Sequence, residues 1–202
     1  KKKVKKTKTI SKQYSKVSRI LFLKKLLEKL NKNHRIISTT GYTSREINHL
    51  RQNNKNFKGK DFYMIGGMGH SLSVAHAHST FSKKSTICID GDGSLIMHLG
   101  SIITCSKYSK NFKYILINNS SHESVGGQPT NSNIVNFHTL SKSIGFNKYL
   151  VIAKEQDIQK KIKSFMMFKG KVFLEVKAKI GSVNNLGRPK KFLTIKKKFI
   201  SK

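Results

Sequence analysis

Two short apolar runs, each followed at once by polar residues, constrain the fold of this chain most. The runs cover residues 86–90 and 114–117, and short apolar runs of this kind are typical of strands buried in a parallel sheet. Gly91-Asp92-Gly93-Ser94 follows the first run, and Asn118-Asn119 follows the second. Because ligands of open α/β sheets bind beyond the carboxyl ends of the strands, these polar residues are expected at a ligand site.

Asp92 and Asn119 have the chemistry of magnesium ligands. Mg²⁺ prefers oxygen atoms in near-octahedral geometry and commonly takes one or two of them from side chains, the rest coming from water and phosphate. The alternative is structural, with Asp92 as a helix N-cap and Asn119 as a loop residue. A bare Gly-Asp-Gly does not decide between these interpretations.

The complete pattern is more specific, since 24 residues, 94–117, separate Gly91-Asp92-Gly93 from Asn118-Asn119. It resembles the magnesium and thiamine diphosphate motif of the thiamine-dependent decarboxylase superfamily. Further segments, in the same order across residues 34–190, look like the phosphonopyruvate decarboxylase family, to which sulfopyruvate decarboxylase is related. These segments are 39–46 (TTGYTSRE), 66–70 (GGMGH), 95–98 (LIMH), 122–130 (HESVGGQPT) and 186–189 (LGRP).

The resemblance implies a set of site residues. Asp92, Asn119 and the main-chain oxygen of Ser121 would bind magnesium, and Met68 would be the apolar wedge beneath the cofactor. His122, Ser124 and Gln128 are substrate candidates, and His70, His122 and Glu123 are the candidates for a catalytic role. The implied cofactor-binding residues are Thr40, Gly41, Tyr42, Gly66, Met68, Gly69, His70, Gly91, Gly93, Ser94 and Asn119.

Each of these assignments has a structural alternative. The Gly41 turn is also typical of an ordinary strand-to-helix turn capped by Thr43, which stands three residues before Glu46 in a capping-box spacing. Met68 also fits a gap in a core. His98 is expected to pack a helix, and residues 120–130 also fit a solvated loop.

The predicted fold is α/β, a three-layer, doubly wound, mostly parallel sheet with helices on both faces. We expect a lysine-rich tail or linker at 1–14, a thiamine diphosphate-binding domain at 15–190 and a basic tail at 191–202. Ser94 should cap a helix that runs to residue 107 and buries Leu95, Ile96, Leu99, Ile102 and Ile103. The other expected helices are 18–30, one opening at 43–46, 71–81, 134–143 and 155–168, and the other expected strands are 34–38, 62–65, 149–153 and 171–177.

The net charge of +32 lies at the two ends of the chain. Residues 1–60 hold 19 Lys and Arg against 2 acids and residues 142–202 hold 17 against 3, whereas residues 61–141 hold 5 against 4. Of the 41 basic residues 36 are lysines, while base readout depends on arginine. We therefore expect no specific nucleic-acid binding, and the lack of an apolar run of about 18 residues predicts no membrane span. Cys88 and Cys105 form no disulfide pattern, which favours a reducing, cytoplasmic location.

The family resemblance implies decarboxylation of phosphonopyruvate, a small 2-keto acid, to phosphonoacetaldehyde with thiamine diphosphate and Mg²⁺. In that superfamily a glutamate from a second, pyrimidine-binding domain activates the cofactor, and no such domain is recognisable in these residues. We expect it either upstream in the same polypeptide or in a separate subunit, within a homo-oligomer. The alternatives are the beta-type subunit of sulfopyruvate decarboxylase, a noncatalytic cofactor-binding subunit and, more distantly, a basic nucleic-acid-binding protein.

Overall fold

The computed structural model describes residues 17–201, which form a six-stranded parallel sheet with helices on both faces. The strands lie in the order β2-β1-β3-β4-β6-β5, and every neighbouring pair is parallel. The α/β prediction is thus confirmed. The strands are β1 (His34–Ser38), β2 (Phe62–Tyr63), β3 (Ser85–Gly91), β4 (Lys113–Asn118), β5 (Lys148–Ile152) and β6 (Val172–Lys177).

Eight α-helices connect or flank these strands within the described residues. Short 3-10 turns at 123–125, 132–134 and 155–157 precede α6 or α7. The helices are α1 (Arg19–Leu27), α2 (Tyr42–Asn53), α3 (Ser71–Phe81), α4 (Asp92–Met97), α5 (Leu99–Tyr108), α6 (Phe137–Ser143), α7 (Ile158–Met167) and α8 (Phe192–Ile200).

The central strands are apolar on both faces because each face carries its own core. Along β3, Ile87 and Ile89 belong to one buried cluster and Cys88 belongs to the other. Successive side chains of a strand point to opposite faces, so a strand buried on both sides is apolar throughout. The first cluster packs residues of α1, α2 and α7 on the sheet, and the second packs residues of α3, α4, α5, α6 and α8.

The strand order reverses between β1 and β3. From β1 the chain moves outward to β2 and then returns across the sheet to β3, which pairs with the other edge of β1. Such a switch point leaves a crevice at the carboxyl ends of the two strands. Thr39 and Asp92 directly follow these strands, so both lie beside the crevice.

The predicted helix over 94–107 is interrupted. His98, with φ −130° and ψ 45°, is the C-cap of α4 and the N-cap of α5, and its ring lies tilted against that of His70 with 4.5 Å between centroids. Leu95 and Ile102 are buried as predicted, but Ile103 is 51% exposed. Because His98 has non-helical dihedral angles, the helical period is interrupted there, and a single period does not predict which residues on both sides are buried.

Residues 192–200, within the predicted basic tail 191–202, form α8. Phe199 of α8 is buried, and its ring lies 5.4 Å from that of Phe62 and 4.7 Å from that of His78. The lysines of α8 are exposed. Their number gives the segment the composition of a basic tail. The predicted 1–14 segment lies outside the described residues.

Candidate cofactor and metal site

A cavity lies at the carboxyl ends of β1, β3 and β4. Its wall also includes Arg19 of α1, which the sequence analysis did not select. Gly66, Gly69, His70 and Gln128 do not line it. The predicted site residues that do line it are Thr40, Gly41, Tyr42, Met68, Gly91, Asp92, Gly93, Ser94, Asn119, Ser121, His122, Glu123 and Ser124.

Asp92 is the first residue of α4 and only 2% of its surface is exposed. The N-cap of α4 is Gly91, so the alternative interpretation of Asp92 as the N-cap is wrong. The hydroxyl of Thr130, in the loop after β4, donates a hydrogen bond to Asp92 Oδ2. This bond fixes the carboxylate at the cavity wall.

Asn119 follows β4 and its carboxamide is held by two hydrogen bonds. The Oδ1 atom accepts from the Ser121 main-chain N–H at 3.1 Å, and Nδ2 donates to Glu123 Oε2 at 3.0 Å. Asn119 and Ser121 are 5% and 8% exposed. Asp92, Asn119 and Ser121 thus line one cavity with residues that carry carboxylate, amide and carbonyl oxygens, although no cluster of three or more Asp, Glu, His or Cys residues suited to a metal occurs among residues 17–201.

The turn after β1 depends on Gly41. Gly41 is the N-cap of α2 with φ 99° and ψ −155°, a region that is essentially restricted to glycine. The capping-box prediction is wrong, because Thr43 lies inside the helix and Glu46 is buried against Arg19 instead of capping. The turn leaves the amino end of α2 beside the cavity, and first-turn N–H groups of a helix favour anions.

Ser94 joins two loops. Its hydroxyl accepts from Gly69 N at 2.7 Å and from Thr39 Oγ1 at 3.0 Å, while it lies in the first turn of α4 with 2% exposure. The prediction that Ser94 caps the helix is wrong, since Gly91 occupies that position. Ser94 holds the segment at 66–70 against the loop after β1.

The segment 66–70 places Met68 at the cavity but keeps His70 away from it. Gly66, Gly67 and Gly69 have φ of 65°, 54° and 88°, so the tight path depends on glycine. Gly69 also lies against His98, since a Cβ atom there would come within 2.6 Å of the His98 Cβ. His70 is exposed, with its ring against that of His98.

The loop after β4 is closed by its own main chain. His122 N donates to Gln128 O at 2.8 Å, and Ser121 and Pro129 form an isolated bridge. The His122 ring packs so close to Gly93 that a Cβ atom there would lie 2.3 Å from Cε1. His122 therefore stays at the cavity, whereas the Gln128 side chain lies against Gly126, outside its lining.

Arg19 is the main site residue that the sequence analysis missed. It is 4% exposed and donates to Glu46 Oε2 at 2.7 Å and to Glu123 Oε2 at 2.7 Å. Burial opposes its charge, but Glu46 and Glu123 outweigh that effect and raise the pKa of Arg19. Its sequence signal was its place on the apolar face of α1, three and four residues before Phe22 and Leu23.

A second buried carboxyl group lies behind Asp92. Asp90 is fully buried at the end of β3, accepts from Gly91 N at 3.0 Å and is contacted by the Tyr114 hydroxyl at 3.4 Å. Burial raises the pKa of Asp90, which favours its protonated form. Asp90 therefore supports the turn before Asp92 without lining the cavity.

Fold and cavity together define an α/β protein with a cavity at a switch point, lined in part by polar residues. Residues 39–176, which are 138 of the 202 residues, match the protein family described as "Thiamine pyrophosphate enzyme, C-terminal TPP binding domain". The chain belongs to this family. None of the helices within residues 17–201 has the length and apolarity needed to cross a membrane.

Characterised relatives carry two names. The chain is 29% identical to a phosphonopyruvate decarboxylase of Streptomyces viridochromogenes over 86% of this chain and 43% of that protein. It is 33% identical to sulfopyruvate decarboxylase subunit beta of Methanococcus maripaludis, over 60% of this chain and 63% of that subunit. The same subunit of Methanothermobacter thermautotrophicus is 28% identical over 74% of this chain and 76% of its own length. The chain thus spans less than half of the Streptomyces relative.

Proposed function

We propose that this chain is the diphosphate- and magnesium-binding half of a thiamine diphosphate-dependent decarboxylase that acts on phosphonopyruvate. One observation carries the proposal. Asp92 from the turn after β3, and Asn119 and Ser121 from the loop after β4, line one cavity that also contains the Gly41 turn. The family match supports a cofactor-binding role for this cavity, since the matched residues 39–176 include Asp92, Asn119, Ser121 and Gly41.

The donor set suits magnesium. Asp92 supplies the negative charge, and Asn119 Oδ1 and the Ser121 carbonyl supply neutral oxygens, which are the hard donors that Mg²⁺ prefers. Three protein ligands leave room for diphosphate and water oxygens. The role of the ion is to anchor and orient, one of the recognised uses of a metal in catalysis.

The rest of the cavity suits the organic part of the cofactor. Thiamine diphosphate, when bound, supplies an electron sink for the carbon dioxide-releasing step. The amino end of α2 at Gly41 and Tyr42 would bind the diphosphate, and Met68 would support the ring system. Ser94 would preserve this arrangement by holding the loops after β1 and before α3 together.

Phosphonopyruvate is our preferred substrate because the similarity to its decarboxylases extends over most of the chain, 86% of it. His122 and Ser124 at the cavity wall are the proposed substrate contacts, with Gln128 further out. The second candidate is sulfopyruvate, which is supported by the 33% and 28% identity to beta subunits of its decarboxylase over 60% and 74% of this chain. The assembled enzyme assayed with both keto acids separates the two, and a clear preference for sulfopyruvate would overturn our choice.

Activity requires a partner in this proposal. Both glutamates near the cavity, Glu46 and Glu123, bind Arg19, so neither resembles a carboxyl group reserved for the cofactor ring. We propose that a glutamate-bearing domain, in the same polypeptide or in a separate subunit, completes the site. Homo-oligomerisation and a cytoplasmic location stay predictions.

Asp92→Asn tests the metal site, because it keeps the shape of the side chain and removes its charge. We expect thiamine diphosphate to bind the unaltered chain only with Mg²⁺, and expect the variant to lose at least about 10-fold in affinity, as for loss of one charge-assisted interaction of about 1.4 kcal/mol or more. Titration calorimetry measures this. Asp157→Asn, the same change outside the cavity, is the matched control. Equal affinities for all three proteins would refute the assigned site.

A further inference from the structure

Arg19 makes contacts that packing of α1 alone does not require. Nε and Nη2 bind the two carboxylate oxygens of Glu46 at 2.7 and 3.1 Å, a bidentate pair that already ties α1 to α2. Nη1 donates to Glu123 Oε2 at 2.7 Å, and Nη2 also donates to Gly181 O at 3.1 Å. One guanidinium thus joins two helices, the loop after β4 and the segment after β6.

Glu123 connects Arg19 to Asn119, the proposed metal ligand. Its Oε2 atom accepts from both Arg19 Nη1 and Asn119 Nδ2, at 2.7 and 3.0 Å. Its other oxygen accepts from Gly181 N at 2.6 Å. Glu123 is therefore held on both oxygens, by Arg19 and by the Gly181 main chain, and the oxygen that Arg19 contacts is the acceptor for Asn119.

The orientation of the Asn119 carboxamide decides whether it can bind a cation at all. Its oxygen is an acceptor and its nitrogen carries only donors, so a flipped amide would turn hydrogens toward the ion. The bond from Nδ2 to Glu123 opposes the flip, together with the bond from the Ser121 main-chain N–H to Oδ1. Groups that orient a ligand in this way commonly change metal affinity by 10- to 100-fold when they are removed.

We infer that Arg19 is a positioning residue for the metal site, acting through Glu123 to hold Asn119 with Oδ1 toward the cation. This inference rests on the proposed magnesium function of Asn119. It adds that α1 and the segment at Gly181 belong to the site, although neither contains a metal ligand. A purely structural Arg19 would affect folding and leave the magnesium requirement unchanged.

The experiment compares three variants of the chain: Arg19→Met, Glu123→Gln and Glu46→Gln. The measured quantity is the Mg²⁺ concentration that half-saturates thiamine diphosphate binding, with urea unfolding recorded for each protein. We expect Arg19→Met and Glu123→Gln to raise that concentration at least about 10-fold. Glu46→Gln should change it less than about 2-fold, because Glu46 contacts neither Glu123 nor Asn119 and Arg19 keeps its own bond to Glu123.

The outcomes separate this inference from the proposed function. If the unaltered chain shows no Mg²⁺-dependent cofactor binding, the proposed function fails, and the inference with it. If it binds and all three variants keep its magnesium requirement while losing stability, Arg19 is structural and only this inference is overturned. Should Arg19→Met fail to fold, Glu123→Gln decides, since it removes the charge between Arg19 and Asn119 and keeps the size of the side chain.

Discussion

The replacement Gly41→Ala tests the turn that opens the site. At φ 99° and ψ −155° an alanine would occupy a region that costs about 1–3 kcal/mol for a residue with a Cβ atom. That atom would also lie 2.8 Å from Ser124 Oγ, forcing the serine off its rotamer for about 1 kcal/mol. We therefore expect a loss of about 3 kcal/mol in the free energy of unfolding.

A double-mutant cycle separates the two contributions. In a Ser124→Ala background the nearest atom becomes Cβ at 3.4 Å, an ordinary contact, so Gly41→Ala should cost about 1 kcal/mol less there. Urea unfolding followed by circular dichroism measures all four proteins. A coupling energy near zero would mean that the loops after β1 and β4 do not touch at this point.

Gly100→Ala provides the matched control. Gly100 lies in α5, and among the described residues no atom outside its chain neighbours and the adjoining helix backbone comes within 4 Å of a Cβ atom built there. Alanine in a helix is favoured over glycine, so this variant should keep or gain up to about 1 kcal/mol. If Gly41→Ala and Gly100→Ala had equal effects, the argument from backbone conformation would be refuted.

Two further predictions concern titrating groups away from the cavity. Burial raises the pKa of Cys105 to about 12 and that of Cys88 well above its usual range, so both thiols should resist a thiol reagent at pH 8 until urea unfolds the chain; rapid labelling of the native protein would contradict this. Burial, and secondarily Lys148, lower the pKa of Lys113 to about 8. Between about pH 8 and the pKa of 10.5 in the unfolded chain, the folded state binds fewer protons at Lys113, so its contribution to stability rises with pH. The free energy of unfolding of the unaltered chain minus that of Lys113→Met should increase from pH 7.5 to pH 10. A constant or falling value would contradict the expected sign.

Elements with a clear local period were predictable from sequence. The strand at His34–Ser38 and the helix at Ser71–Phe81 have the predicted bounds. Both predictions depend only on residues close together in the chain, because the apolar pattern of a buried strand or an amphipathic helix is visible within a few residues. The apolar spacing of Phe192, Ile195 and Phe199 in α8 was equally available, but the lysines around it suggested a tail.

Capping predictions from local sequence patterns were wrong where a contact with a residue distant in sequence determined the side-chain position. Thr43 and Glu46 have capping-box spacing, yet Glu46 turns inward because Arg19 offers a buried bidentate partner. Ser94 looks like a cap, yet its hydroxyl binds Thr39 and Gly69 from two other loops. In both cases the deciding partner lies more than 20 residues away, where no short-range pattern can register it.

The sequence by itself determined the parallel α/β class, the polar residues at the ends of β3 and β4, and the resemblance to a thiamine diphosphate family. These features are carried by residue type and spacing along the chain. Only the tertiary structure decided which oxygens share a cavity and which residues hold them there. Arg19, Glu123 and Asn119 form one network because the fold brings α1 against the carboxyl end of β4, and burial then requires each charge and amide to have a partner.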